Sequence, residues 1–489
     1  MAEAEQEVVA FLSNGATYGL PRAKVSRVET HCSIIFLVGN KAYKLKRPIA
    51  FSALDYSTID RRGAACRAEL ELNRRTAPEL YLGVHTIRRR FDGELGIDGE
   101  GQVLDWVVEM RRFDQGDLFD RVADAGNLST ESMRALADEI AWFHGRAKPT
   151  LEFGGAAGLS GAIEHNRKDQ QTVDSILPKD AVERLHATST NALARVRDVL
   201  DRRRHDGKVR QCHGDLRLAN ICLVDGRPTL FDAIEFSDEV SCIDVLFDLA
   251  FLLMELHQRG SDLLANAVFN RYLDATGDTD GLPALPLMLS VRAASRAYTL
   301  AFGVQRQTER EKVQRLTAAA RSHMALASSM LGTFPVRLVA IGGLSGSGKA
   351  AVTQELSASF APAPGGRILR SDVVRRKLLG LPQSSRLPPT SYNPELNEAV
   401  YAALAREARQ LLAVGFTAIV DASFMEPAHR QAIAAVASSA AVPFAGLWLG
   451  ASEDTEGDAA APSMWQILEP GPTHAATAAR ARLIANVVP

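Results

Sequence analysis

His213-Gly214-Asp215-Leu216-Arg217-Leu218-Ala219-Asn220, of the form H-G-D-L-x-x-x-N, is the stretch on which the fold of this chain turns. It sets an Asp and an Asn five residues apart on a tight loop. With that spacing the carboxylate can hold an attacking hydroxyl and take its proton, while the amide oxygen is offered to Mg²⁺. Twelve residues beyond Asn220, Phe231-Asp232 closes an apolar run with another carboxylate, where a second metal ligand belongs.

A site of this kind also needs a cation on the nucleotide phosphates and a carboxylate to hold that cation. Upstream, Lys44 lies on the strand Ala42–Lys46, and Glu69 lies on the helical stretch Ser57–Arg75 that follows. Lys46 shares the face of Lys44, because side chains alternate along a strand, and is the runner-up for the phosphate role. Glu71 stands about 200° round the helix from Glu69 and is the weaker partner. A lone H-G-D can be a turn with a structural His, and a lone strand lysine is usually on the surface. The order Lys44, Glu69, Asp215, Asn220, Asp232 is what lifts the set above those readings. Glu235, three residues beyond Asp232, is expected to be a solvated loop carboxylate.

Around this order the chain first predicts a helix over residues 3–13. Two strands follow within Val25–Lys46, turning at Gly39-Asn40, and two more at Val84–Arg90 and Val103–Met110. From Leu118 to about His205 the pattern is helical, and it is helical again over Val245–Gln258, Asp262–Thr276 and Pro286–Met330. Leu331-Gly332-Thr333-Phe334-Pro335 reads as a linker, after which a new β–α alternation begins at Val336.

The bulk properties narrow the function classes. A length of 489 residues predicts about two to four domains. A net charge of −2 suggests no general affinity for nucleic acid or anionic membranes. The five cysteines form no CxxC pair and no metal-ligand spacing, so a reduced cytoplasmic setting is expected. The N-terminus lacks the pattern of a signal peptide, and runs such as Leu246–Leu256 are too short to span a bilayer.

His213–Asn220 followed by Asp232 resembles the catalytic segment of the aminoglycoside phosphotransferase and protein-kinase-like fold, whose loop commonly carries H-G-D. The resemblance covers residues of about 20–330. It implies a small β-rich lobe (about 20–112), a hinge near Glu109–Phe113 and a helical lobe (about 113–330). It also implies that Asp248 is a buried brace of the catalytic loop. No G-x-G-x-x-G run precedes Lys44, so the turn Thr30–Ser33 is the candidate cover for the phosphates, through backbone N–H groups or the Ser33 hydroxyl.

A second constellation follows the linker. Val336–Ile341 is a strand, and Gly342-Gly343-Leu344-Ser345-Gly346-Ser347-Gly348-Lys349-Ala350 leads from it into a helix. This is G-x-x-x-x-G-K in strand–loop–helix context: Gly343, Gly346 and Gly348 let backbone N–H groups face phosphate oxygens, and Lys349 adds a charge. The position that normally carries a metal-binding Ser or Thr is Ala350. Ser371-Asp372-Val373-Val374-Arg375 resembles the acceptor-binding element of small P-loop kinases, with Asp372 on the acceptor hydroxyl and Arg375 gripping the acceptor. Asp421 ends an apolar strand. The expected lid segment, Ala451–Asp458, is acidic and lacks arginine, so weak or absent catalysis is expected here.

The whole chain resembles a two-module bacterial family, with an aminoglycoside-phosphotransferase-like domain (1–330) joined by 331–335 to a P-loop kinase-like domain (336–489). The expected fold is an α+β two-lobed kinase-like domain followed by an α/β domain with a parallel sheet. The expected activity is ATP- and Mg²⁺-dependent transfer to a hydroxyl of a small molecule. The alternatives are an ATP-sensing regulatory protein and an antibiotic phosphotransferase.

Overall fold

The computed structural model describes residues 3–51, 54–171, 173–344, 346–450 and 465–485. Among them the chain forms two compact units, Met1–Leu128 with Trp142–Gly154 and Gly207–Asp248, and Ser129–Ala141 with Gly155–Asp206 and Leu249–Pro489.

The first unit opens with α1 (Glu3–Leu12), β1 (Ser26–Glu29), β2 (Ser33–Val38), β3 (Lys41–Lys46) and the short β4 (Ala50–Phe51) and β5 (Leu54–Asp55). Then come α2 (Ile59–Asn73), β6 (Tyr81–Arg89), β7 (Leu95–Ile97) and β8 (Gln102–Arg111). Six of the strands make an antiparallel sheet in the order β1-β2-β3-β8-β6-β7. Alternation gives the sheet two apolar faces. Tyr43 and Leu45 of β3 pack with Val8, Val9 and Leu12 of α1. Ala42, from the other parity, packs with Cys66 of α2. Lys44 and Lys46 share the parity of Ala42, so the pleat itself points both lysines at α2.

Helix α2 begins at Thr58, whose side chain accepts from Arg61 N. Its buried residues Arg62, Cys66, Glu69 and Asn73 recur every three or four positions and form one face. Glu69 therefore occupies a core position, which for a carboxylate requires a partner.

The chain continues through α3 (Phe119–Asp124), α4 (Thr130–Arg146), α5 (Gly155–Gln171) and α6 (Lys179–His205). Next are β9 (Val209–Gln211), β10 (Ile221–Val224), β11 (Arg227–Leu230), α7 (Asp238–Ser241) and β12 (Cys242–Asp244). Two small antiparallel ribbons, β9–β12 and β10–β11, carry the decisive loop between them. Asp225 and Gly226 at the β10–β11 turn both have positive φ, 50° and 78°, as a tight primed hairpin turn demands. Helices α8 (Val245–Gln258), α9 (Asp262–Thr276), α10 (Leu285–Val304) and α11 (Arg310–Ser329) complete this stretch.

The remainder alternates strand and helix. It runs β13 (Leu338–Gly343), α12 (Lys349–Ala358), β14 (Arg367–Arg370), α13 (Ser371–Leu378), α14 (Pro394–Ala413) and β15 (Ala418–Asp421). Then come α15 (Pro427–Ser439), β16 (Phe444–Leu449), β17 (Gln466–Leu468) and α16 (His474–Ile484). The five strands are parallel in the order β14-β15-β13-β16-β17. β13 is buried along its whole length, as a central strand covered on both faces must be. This is the expected parallel α/β fold.

The edge strand β14 is closed by α9 of the same unit. Asn270 Oδ1 accepts from Ile368 N at 2.7 Å, and Asn266 Nδ2 donates to Pro364 O at 2.9 Å and Gly366 O at 3.1 Å. Arg367 and Asp274 add a buried ion pair at 2.7 Å. Asn266, Asn270 and Asp274 lie four residues apart, one polar stripe down a helix.

The strand and helix pattern differs from the sequence reading in three places. Residues 25–46 hold three strands rather than two, β7 adds a strand between the two expected at Val84–Arg90 and Val103–Met110, and 286–330 breaks into α10 and α11.

Candidate active site

The loop after β9 is held by its backbone. Gly214 has φ +83°, and a Cβ there would lie 3.2 Å from Ile234 Cδ1 and 3.3 Å from Val240 O. Asp248, buried at the start of α8, accepts from Gly214 N at 2.9 Å and His213 N at 3.1 Å. It thus braces the loop in the way the resemblance implies. His144 Nε2 also meets Asp248, at 3.1 Å. The ring of His213 meets Phe231 O through Nε2 at 2.9 Å, while its buried Nδ1 has no hydrogen-bond partner among the described residues. Burial lowers the His213 pKa, against the pull of Asp248, and so favours the neutral ring.

Asp215 is gripped by two neighbours. Arg217 Nε and Nη2 donate to its two carboxylate oxygens at 2.6 and 2.7 Å, a bidentate pair. Asn220 Nδ2 donates to Asp215 Oδ2 at 2.8 Å and to its carbonyl at 2.9 Å. Burial would raise the Asp215 pKa, but the Arg217 guanidinium and these hydrogen bonds hold it well below the usual carboxylate range. Arg217 went unassigned in the sequence; the only signal was a cation two residues beyond the Asp.

The upstream residues converge on the same place. Lys44 Nζ donates to Glu69 Oε1 at 2.7 Å and to Asp232 Oδ1 at 2.5 Å. Lys46 Nζ takes the other oxygen of Glu69, Oε2, at 2.7 Å, and also pairs with Glu235. Burial opposes charge on both lysines, yet Asp232 and Glu69 beside Lys44, and Glu69 and Glu235 beside Lys46, hold their pKa values well above the ordinary range. Burial would raise Glu69, but the two lysines bring it down to about 2. The side chain of Lys46 is 1% exposed against 12% for Lys44, so Lys44 is the more accessible of the two lysines. Glu71 is exposed on α2, away from the buried face that carries Glu69.

One sequence expectation changes here, and another narrows to the Ser33 hydroxyl. Glu235 is not a solvated carboxylate: its side chain is 7% exposed and is held by Lys46 and the Tyr56 hydroxyl, because a buried lysine requires a counter-charge. At the Thr30–Ser33 turn, the Ser33 amide already donates to Thr30 Oγ1 at 3.0 Å, and Ser33 is buried. That amide is committed within its own turn.

The donor set fits a hard divalent cation. Asn220 spends its amide nitrogen on Asp215, no described residue bonds its Oδ1, and the Asp232 side chain is 43% exposed. One carboxylate and one amide oxygen, with room for water, is the chemistry that Mg²⁺ takes. Asp232 itself adopts φ +63°, an uncommon conformation for a non-glycine residue. Its N–H donates to the Tyr81 hydroxyl at 3.2 Å, and Ala233 N donates to Asn73 Oδ1 at 2.8 Å, which holds the strained turn.

In the other unit the glycine loop follows β13 as expected. Gly343, Gly346 and Gly348 have φ of +137°, +83° and +84°, and a Cβ on Gly343 would sit 2.4 Å from Leu449 O. Lys349 Nζ turns back on its own loop, donating to Gly343 O at 2.7 Å and Leu344 O at 2.5 Å. Among the described residues Ser347 Oγ is buried with no hydrogen-bond partner, a hydroxyl donor that a bound anion would accept from. Ala350 is exposed. Asp372 is flanked by Arg376 at 2.7 Å and Arg370 at 3.2 Å. Arg375 lies elsewhere: it is buried, donates to Ser391 O at 2.6 Å and covers the Tyr392 ring. On α13 the residue one turn from Asp372 is Arg376, and position 375 faces inward. Burial raises the Asp421 pKa to about 6 despite Lys349 and Arg370. Ser345 and the acidic segment Ala451–Asp458 lie outside the described residues.

Residues 58–285 match the profile of the phosphotransferase enzyme family, and residues 338–458 match that of an AAA domain. The chain therefore joins a phosphotransferase-family domain with the kinase-like fold to a P-loop domain. Among full-length relatives it is similar to an uncharacterized protein of Mycobacterium tuberculosis, with 29% identity over 85% of this chain and 82% of that one. An uncharacterized protein of Mycobacterium bovis matches equally. Solved structures similar to it include a choline/ethanolamine kinase family protein from Mesorhizobium loti, with 15% identity over 68% of this chain and 95% of that one and a TM-score of 0.40. An ethanolamine kinase of Plasmodium vivax has 10% identity over 66% of this chain and 92% of that one, also with a TM-score of 0.40. Among the described residues no helix is long and apolar enough to cross a membrane.

Proposed function

We propose that this protein is an ATP- and Mg²⁺-dependent phosphotransferase that acts on a hydroxyl of a small molecule, with its chemistry at Asp215. The observation that carries this reading is a convergence. Lys44 joins Glu69 to Asp232, Asn220 is bonded to Asp215, and the Phe231 N–H beside Asp232 donates to Asn220 O at 3.0 Å, which ties β3, α2 and the turn after β11 to the loop after β9.

In this reading Asp215 orients the acceptor hydroxyl and receives its proton. While Arg217 grips both its oxygens, Asp215 is a weak base, so the guanidinium shifts toward the phosphates as acceptor and nucleotide enter. Lys44, kept charged by Glu69, steadies the α- and β-phosphates. Asn220 and Asp232 would hold Mg²⁺, which when bound neutralises charge on the β- and γ-phosphates. Asp215→Ala is expected to abolish transfer while leaving nucleotide affinity within a few-fold of wild type, measured by ADP formation and by calorimetric titration. Wild-type turnover in that variant would remove Asp215 as the base.

For the P-loop domain a second reading has its own support. Ala350 offers no metal ligand, and Lys349 rests on its own loop carbonyls. Both favour nucleotide binding without efficient transfer. In the full chain, Ala350→Thr is then expected to add Mg²⁺-dependent turnover, or tighter Mg²⁺-nucleotide binding, that Asp215→Ala does not remove. No change in either would count against a deficit located at residue 350.

A further inference from the structure

The two lysines of β3 divide one carboxylate between them: Lys44 takes Glu69 Oε1 and Lys46 takes Oε2, each at 2.7 Å. Each lysine also meets a second carboxylate from one short turn, Asp232 for Lys44 and Glu235 for Lys46. Strand and turn are thus joined by two rungs, and the rungs are not equivalent. In the outer one the side chains of Lys44 and Asp232 are 12% and 43% exposed. In the inner one those of Lys46 and Glu235 are 1% and 7% exposed.

We propose that Lys46 and Glu235 form a permanent anchor that positions Asp232 for a divalent cation, while the Lys44–Asp232 rung is the one that opens to ligand. This rests on the reading of Asp232 as a metal ligand given above. The outer rung can exchange partners because water, phosphate and cation can replace what each group loses. The inner rung has no access to such replacements, and opening it would strand a buried charge.

The surroundings of Glu235 support the assignment. The Tyr56 hydroxyl donates to the same Glu235 oxygen that Lys46 holds. Tyr56 is itself fixed through its main chain, with its N–H on Ile49 O at 2.8 Å and its carbonyl accepting from Arg62 at 3.0 Å. Asp232 needs such support, since its φ is +63°. Tyr81 and Asn73 hold the turn on one side, and Glu235 holds it on the other. Lys46 has a second effect: by occupying Oε2 of Glu69 it leaves Oε1 to Lys44, so Lys44 keeps a counter-charge when Asp232 turns to the cation. Lys46 and Glu235 are positioning residues, acting through Asp232 and Glu69.

The test is calorimetric titration of the full-length chain with β,γ-imido-ATP, once with Mg²⁺ and once with EDTA, in a Lys349→Met background that weakens the P-loop site. Glu235→Gln is expected to lose about tenfold or more of the affinity gained from Mg²⁺, the size typical for partners of metal ligands, with EDTA affinity nearly unchanged. Tyr56→Phe, which conserves shape, is expected to lose about threefold in the same Mg²⁺-specific manner. Asp232→Asn, the control, is expected to erase the Mg²⁺ gain. If Asp232→Asn erases the gain while Glu235→Gln and Tyr56→Phe bind as the parent does, the anchor is wrong and the site reading stands. Equal losses with and without Mg²⁺ in the anchor variants also overturn it, as a merely structural role. A Mg²⁺ gain that survives Asp232→Asn overturns the metal-ligand reading itself, and the anchor with it. Should the charged-residue variants fail to fold, Tyr56→Phe decides alone.

Discussion

Asp215 carries its counter-charge two residues away, and that pair governs what the carboxylate can do. A guanidinium on both oxygens, at 2.6 and 2.7 Å, makes the group a good acceptor and a poor base. The pKa held below the ordinary range has a definite consequence for stability. Such a group stabilises the fold above its unfolded value of about 4, and that contribution is lost as pH falls through the folded value. Arg217→Met is therefore expected to be destabilised by about 2 kcal/mol at pH 7, the scale of hydrogen bonds to a charged group. The gap to wild type should narrow as pH falls below about 4, where a protonated Asp215 no longer needs the cation. Denaturant unfolding at several pH values measures both. Order along the chain was enough to mark Lys44, Glu69, Asp215, Asn220 and Asp232 as one set. Arg217 was not marked, because a cation beside a carboxylate in sequence is usually a solvated pair. The role of Glu235 was hidden for the opposite reason: its partners Lys46 and Tyr56 are far away in sequence and meet it only in the folded chain.

The elements that the sequence reveals are those whose periodicity is long. Helices α8 and α9 fall on the predicted residues, since an apolar stripe over four turns leaves little freedom. β1 was missed because Ser26-Arg27-Val28-Glu29 is exposed throughout and has no apolar alternation to show. The break between α10 and α11 was missed because Gln305-Arg306-Gln307-Thr308-Glu309 contains neither Gly nor Pro. The seam between α9 and β14 was likewise invisible, as two Asn residues four apart on a helix have no distinctive meaning until an open strand edge lies beside them. Asn270→Leu should orphan Ile368 N–H and cost about 1–3 kcal/mol, seen as a lower denaturation midpoint. The fragment 335–489, stripped of α9, is expected to aggregate through the bare β14 edge. A monodisperse, cooperatively folding fragment would show that the seam is dispensable.

At the scale of the whole molecule, two nucleotide-type sites differ in completeness. The kinase-like site holds Lys44 on Glu69 and Asp232, and Asn220 on Asp215, with the Phe231 N–H on Asn220 O joining the two sets. The P-loop holds its lysine against its own backbone and offers Ala350 where a hydroxyl belongs. The P-loop site also carries a stability cost. The Asp421 pKa is raised to about 6 by burial, so between about pH 4 and 6 the folded state binds more protons than the unfolded one, and stability falls as pH rises across that window. Asp421→Asn is accordingly expected to be more stable than wild type at pH 8, by on the order of 2 kcal/mol, and no more stable at pH 4. Thermal melts at the two pH values decide it.

The central claim, that transfer takes place at Asp215 and not at the P-loop, is open to one direct measurement. ADP formation from ATP and Mg²⁺ is followed for the full-length protein across a panel of small-molecule alcohols, with wild type, Asp215→Ala and Lys349→Met side by side. The prediction is acceptor-dependent ADP formation that Asp215→Ala abolishes and Lys349→Met retains. ADP formation that survives Asp215→Ala and disappears in Lys349→Met would contradict it.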